Sequence, residues 1–389
     1  MQFPGVLPDY RGHGLLNLIA SCAAARGAQP AHPELACADL RPLAAARNLV
    51  LLIIDGLGYN YLRARSGSRL ATGIAARMTS VFPSTTASAI TTSFTGLSPA
   101  EHGLTGWYTW FPEVDAVVAP LPFKLRGTDD APGLRGIESH RLYAGQPIFD
   151  ALDTVSYVVS PGDIIDSGYN RHYCGRATRL AYTGLPGLVT QVEAAVKSGD
   201  VRKYIYAYTP EFDAASHRFG VGSPQAESVF AAIDEAVTDL LARLSGTDTA
   251  LVVTADHGFI DCPPENALDL DDCPELKALL RLPLTGERRT AFCHVLPGKQ
   301  ETFMALAREW LGERADVLPG GALVDMGLFG TGGRPHPHLR ARTGDVALLM
   351  REAWTVKDWL PGEHRTLHIG NHGGLSADEM YIPLVLARA

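Results

Sequence analysis

The chain has 389 residues, 46% hydrophobic and 20% charged, with a formal net charge of −8. That is enough apolar material for a large core and two or three domain-sized units, and the acidic balance excludes a general nucleic-acid footprint. No run of about 18 apolar residues is available to span a membrane.

The opening MQFPGVLPDYRGHG has no charged region followed by an apolar one, so no signal peptide is expected. Six cysteines (Cys22, Cys37, Cys174, Cys262, Cys273, Cys293) follow no zinc-knuckle or CxxC spacing. The expectation is a cytoplasmic protein with free thiols that binds neither membranes nor nucleic-acid polymers.

Along the chain, a helix is expected at Leu15–Ala25. Asn48–Ile54 (NLVLLII) is a continuous apolar run, as a strand buried on both faces requires. A helix over Thr86–Thr95 follows. Strand-like runs at Thr154–Val159, Tyr204–Tyr208, Ala250–Thr254, Asp345–Met350 and Tyr381–Leu386 then alternate with helical stretches at Leu188–Lys197, Ser223–Leu244 and Lys299–Gly312. This alternation predicts an α/β protein with a largely parallel central sheet.

Two stretches interrupt the pattern. Trp107–Tyr182 is rich in Pro, Gly and aromatics. Asp261–Arg342 opens with the acidic loop DCPPENALDLDDCPE and continues as strand, helix and strand. The second reads as a small inserted cap over 261–342, leaving a catalytic core of 1–260 and 343–389.

Ligands in such sheets gather at the carboxyl ends of strands, and chemistry-bearing residues stand there. LLIIDGLGY ends a strand at Asp55, with Gly56 allowing a tight turn; the plain alternative is an N-cap. SVFPSTTASAI places Ser84, Thr85 and Thr86 at a helix start, where the dipole and free N–H groups favour an alkoxide and a bound phosphoryl group. These hydroxyls could equally be caps.

In YTPEFDAASHRFG, Asp213 and His217 are four apart, so a helix sets both on one face, able to grip a metal. LVVTADHGF closes a strand with Asp256 and His257. HIGNHGGLSADEM carries His372 among glycines that allow close approach. Three carboxylates, three imidazoles and a hydroxyl are what a two-metal phosphoryl-transfer site needs.

In this order the motifs resemble the alkaline phosphatase superfamily, and within it the type I phosphodiesterase/nucleotide pyrophosphatase family, over about residues 46–260 and 343–388. The resemblance implies a three-layer αβα sandwich and a metal-dependent phosphoester hydrolase acting on a small phosphoester or nucleotide. It implies Thr86 as the nucleophile and two zinc ions, manganese being compatible with the same ligands. One ion would be held by Asp55, Thr86, Asp256 and His257, the other by Asp213, His217 and His372. A phosphonate hydrolase or a phosphomonoesterase would use the same site.

Ala89 stands where family phosphodiesterases often carry an Asn that binds a phosphate oxygen. No sulfatase C-x-P-x-R signature is present. The absence of Arg or Lys between Thr86 and Trp107, with the aromatic segment after Gly106, points to diesters over monoesters. Trp107, Tyr108, Trp110 and Phe111 could wall a pocket or pack a loop. Lys124, the His336–His338 pair and the acids Asp269, Asp271 and Asp272 are read mainly as surface.

Overall fold

The computed structural model describes residues 5–127, 137, 141–363 and 365–389. Seven strands make the central sheet: β1 (Asn48–Ile54), β2 (Ile74–Thr79), β3 (Val155–Pro161), β4 (Thr178–Tyr182), β5 (Lys203–Thr209), β6 (Thr249–Thr254) and β7 (Tyr381–Arg388). Their order is β2-β7-β6-β1-β5-β3-β4. The five strands from β6 to β4 are parallel, and β7 runs antiparallel to β6 and β2. All seven residues of β1 are buried, as its uninterrupted apolar run requires.

Helices cover both faces: α1 (Leu15–Ala24), α2 (Thr86–Thr95), α3 (Gly184–Lys197), α4 (Glu211–Phe219) and α5 (Pro224–Arg243), while α6 (Gln300–Leu311) lies outside this layer. The two-residue period of β5 shows the division. Tyr206 meets Phe94 of α2, ring centroids 4.7 Å apart. Ala207 faces the opposite way, lining a small apolar space with Val192 of α3 and Ile233 of α5. The expected three-layer α/β architecture is what forms.

Two sheet strands were not legible as apolar runs. Ile74–Thr79 and Thr178–Tyr182 occupy the two edges of the sheet. An edge strand buries less of its surface, and both alternate or mix exposed residues with buried ones. The interruption expected over Trp107–Tyr182 therefore supplies β3 and β4, beside a small antiparallel sheet at residues 109–125. Its positions 128–136 and 138–140 lie outside the described residues.

A second, antiparallel sheet has the order Thr285–Gly286, Thr290–Cys293, Val346–Met350, Ala315–Pro319. With α6 it builds its own apolar cluster, including Phe303, Leu311, Val317 and Leu348. The strand expected at Asp345–Met350 thus forms within this smaller sheet, so the unit expected to span 261–342 draws a strand from beyond that range. A wholly buried run reads the same in either sheet. Among the described residues, no helix is long and apolar enough to cross a membrane.

Candidate active site

Parallel register brings three strand ends to one edge. Ile54 pairs with Thr209 and Ile53 with Thr254, so β1, β5 and β6 finish level. Asp55 leaves β1, α4 with Asp213 and His217 follows β5, and Asp256 and His257 follow β6. Thr86 opens α2, and His372 follows the short strand Gly370–Asn371. All seven residues proposed from sequence converge.

Thr86 Oγ1 is 3.2 Å from His257 Nε2. That nitrogen is 3.3 Å from Asp55 Oδ1 and 3.5 Å from Asp256 Oδ2. On the other side, His217 Nε2 is 3.5 Å from Asp213 Oδ1 and 3.2 Å from His372 Nε2. The His257 and His372 rings stack at 3.7 Å.

The turns are made by glycines under tight constraint. Gly56 has φ +76°, and a Cβ there would meet the Phe259 ring at 2.4 Å. Its N–H donates to Asp256 Oδ1 at 3.0 Å. A Cβ on Gly258 would lie 2.0 Å from the Asp378 carbonyl oxygen. Tyr208, near the end of β5, donates its hydroxyl to Asp55 Oδ2; it carries no motif and was not legible in advance.

The donor chemistry fits metal ions. Each histidine presents Nδ1 to a backbone carbonyl: His217 to Gly370 at 2.9 Å, His257 to Gly258 at 3.1 Å, His372 to Ser84 at 3.1 Å. A carbonyl only accepts, so Nδ1 carries the proton and Nε2 offers its lone pair. The lone pairs of His217 and His372 then face each other with no proton between them. Asp55 Oδ1, Asp213 Oδ1 and Asp256 Oδ2 are buried without a hydrogen-bond partner among the described residues. Buried carboxylates left in this way cost several kcal/mol each, to order of magnitude. Three carboxylates and one alkoxide would match the charge of two divalent cations.

Among the described residues, two groups of three side chains have ligand atoms within 4.8 Å of one another and could hold a metal ion: Asp213, His217 and His372, and Asp55, Asp213 and His257. Asp213 falls in both. Asp256, expected beside Asp55 and His257, is not in this second group, though its free oxygen faces His257. Burial, and then the charges of Asp213 and Asp256, raise Asp55 well above the usual carboxylate range. Burial, then Asp256 and Glu287, raise Asp213 likewise. Burial lowers His217 to about 3, helped by His368, and drives His372 well down, helped by His257 and His217. His217 and His372 are therefore neutral, ready to ligate.

Thr86 borders a cleft of ≈ 390 Å³. Trp107 and Tyr108 line it, whereas Trp110 and Phe111 are buried in the strand Thr109–Phe111. The aromatic segment is thus divided between cleft and core. Lys124 is exposed and does not line the cleft. Neither do His336 and His338. Asp269 and Asp271 pair with Arg365, and Asp271 also with Lys277. Ala89 is buried inside α2 and offers no polar contact.

Further cleft residues escaped the sequence, Glu287, Arg288, Lys357 and His368 among them. Glu287, Arg288 and Lys357 come from the smaller sheet and its neighbouring strand, and His368 precedes His372 by four. Only His368 had a signal, its H-x-x-x-H spacing. The local absence of basic residues after Thr86 therefore does not leave the cleft without cations.

A largely parallel sheet with carboxylates and imidazoles at its strand ends and a hydroxyl at a helix start is the alkaline-phosphatase-like fold class. The model of the type I phosphodiesterase/nucleotide pyrophosphatase family matches residues 49–375. The chain belongs to that family and is a hydrolase of its type.

Solved structures with a similar fold include murine ectonucleotide pyrophosphatase/phosphodiesterase 5, at 18% identity and TM-score 0.66 over 86% of this chain and 87% of that one. The human protein of the same name is 17% identical, TM-score 0.65, covering 87% of both chains. Phosphonoacetate hydrolase from Sinorhizobium meliloti, in complex with phosphonoacetate, is 18% identical, TM-score 0.61, over 88% of this chain and 90% of that one.

Proposed function

We propose that this chain hydrolyses small phosphodiesters or nucleotides through Thr86 at a site for two zinc ions held by Asp55, Thr86, Asp213, His217, Asp256, His257 and His372. The observation that carries this reading is the ring of partnerless carboxylate oxygens and Nε2 lone pairs around Thr86. Bound zinc would supply Lewis acidity, lowering the pKa of a hydroxyl or water and neutralising phosphoryl charge.

The protein's own part is positional. Thr86 sits at N1 of α2, where the first-turn N–H groups lack partners within the helix. Those groups can receive phosphoryl oxygens in place of the missing Asn side chain. The Thr86 oxygen attacks phosphorus and the leaving group departs with the electrons of its P–O bond. Water then cleaves the phosphothreonine and returns the hydroxyl. The carbonyls of Gly370, Gly258 and Ser84 keep the imidazoles oriented throughout.

The inserted unit, expected over 261–342 and completed by Val346–Met350, is proposed as the part that selects substrate. A reducing cytoplasm suits six free thiols. The murine relative is also known in an inactive form in complex with AMP, which makes nucleotide diesters natural first substrates here. A panel of diesters, monoesters and phosphonates, run on zinc-loaded and chelated protein, tests the proposal. Diester turnover that disappears with chelator is expected. Turnover of none of them would overturn it, and a strong preference for monoesters or phosphonates would shift it to those chemistries at the same site.

A further inference from the structure

Two cations face the cleft without an acidic partner among the described residues. Arg288 sits in the turn between Thr285–Gly286 and Thr290–Cys293, and Lys357 ends the strand Thr355–Lys357. The Val356 N–H donates to the Arg288 carbonyl at 3.0 Å, which fixes the two residues side by side. Among the described residues, the Arg288 guanidinium makes one hydrogen bond, from Nη2 to the Thr366 carbonyl at 2.9 Å. Lys357 Nζ lies 4.1 Å from the centre of the Trp359 ring, and Arg288 Cζ lies 5.9 Å from it.

The neighbouring acids are committed elsewhere. Asp358 and Glu363 hold Arg126 at 2.7 and 3.2 Å. Arg126 also donates to the carbonyls of Leu284 and Asp358, so it is built into the wall. Glu287 Oε1 accepts from the Thr85 hydroxyl and the Trp107 N–H, both at 2.6 Å. Burial first, then the Arg288 charge, lower Lys357 to about 8. Two like charges held together in a half-buried wall cost free energy unless an anion joins them. Arg supplies a planar fork and Lys a point charge, the pairing that suits a carboxylate or a phosphate.

We propose that Arg288 and Lys357 form a subsite for an anionic group, a carboxylate or a phosphate, carried on the substituent of the scissile phosphorus. The placement rests on the hydrolase reading, because that reading puts the phosphorus at Thr86. The two cations lie on the smaller sheet and its neighbour, so substrate choice is separated from the residues that do the chemistry.

The test uses zinc-loaded protein and three p-nitrophenyl phosphodiesters whose second group is phenyl, 3-carboxyphenyl or 3-phosphooxyphenyl. The carboxyphenyl ester should exceed the phenyl ester by about tenfold or more in kcat/KM. R288Q and K357Q should each cut that ratio, and the double variant should bring it near one. K124Q, at an exposed site outside the cleft, should leave it unchanged. A phosphooxyphenyl ester that matches the carboxyphenyl ester shows that charge is read; a gain confined to the carboxylate shows that the planar fork is. Circular dichroism confirms that the variants fold.

Calorimetric binding of phenylphosphonate and 3-carboxyphenylphosphonate gives a readout without turnover. If no ester is hydrolysed, the hydrolase reading fails. Tighter binding of the carboxylated compound, lost in the double variant, would still sustain the subsite. Equal binding of both compounds, or a kinetic preference that survives the double substitution, overturns it.

Discussion

Thr86 differs from its two hydroxyl neighbours in what its oxygen faces. Ser84 donates to the Gly374 carbonyl at 2.8 Å and Thr85 to Glu287 at 2.6 Å, both structural contacts. Thr86 Oγ1 faces His257 Nε2 and the carboxylate ring. Thr86→Ala should therefore lower kcat/KM by about a thousandfold or more while zinc content stays near normal. Thr85→Ala should keep about a tenth of the activity or better. Steady-state kinetics with elemental analysis decides the register: an active Thr86→Ala beside a dead Thr85→Ala would move the nucleophile by one residue.

At the scale of elements, the site depends on strand-to-helix turns. Helix α4 carries Asp213 and His217 at i and i+4, which puts both on one side of the helix. The turn after β6 depends on a close approach instead. A Cβ at Gly258 would stand 2.0 Å from the Asp378 carbonyl oxygen, backbone against backbone, with no flexible end to yield. Gly258→Ala should destabilise the protein by about 1–3 kcal/mol and weaken zinc binding by displacing Asp256 and His257. Urea melts and zinc titration measure both. Wild-type values for each would show that the turn has slack the structure does not contain.

For the whole molecule, the proposed ligands link parts of the chain as distant as Asp55 and His372, so metal binding there would stabilise the fold they share. Zinc at a hundredfold excess over its dissociation constant adds about 2.7 kcal/mol per site. Thermal scans should show the midpoint rising by about 5 °C or more over chelated protein; an unchanged midpoint would count against a built-in site.

The protonation states give a second expectation. Asp55 and Asp213 have raised pKa values, so metal-free protein holds protons there that ligation must expel. His217, lowered to about 3, has none to release near neutrality. Zinc binding should release protons and tighten as pH rises. Calorimetry in buffers of different ionisation enthalpy reads this directly, and a binding enthalpy independent of buffer would contradict it.

The candidate site residues of this protein are carried largely by local sequence. Asn48–Ile54 reads as a doubly buried strand because seven consecutive apolar residues leave no solvent face, and Asp55 and Gly56 after it mark a turn. Spacing carried the Asp213–His217 pair, because helical period is a local property. The edge strands Ile74–Thr79 and Thr178–Tyr182 were hidden, since an edge position asks little apolar periodicity of its residues. Val346–Met350 was visible as a strand, but its sheet was not, because pairing partners are chosen by long-range contacts. The same holds for the cleft. Arg288 and Lys357 stand about 200 and 270 residues beyond Thr86 in the chain, in no motif with it. A charge reaches a substrate through space, and only the packing of the smaller sheet and its neighbouring strand against the core brings these two to the cleft that Thr86 borders.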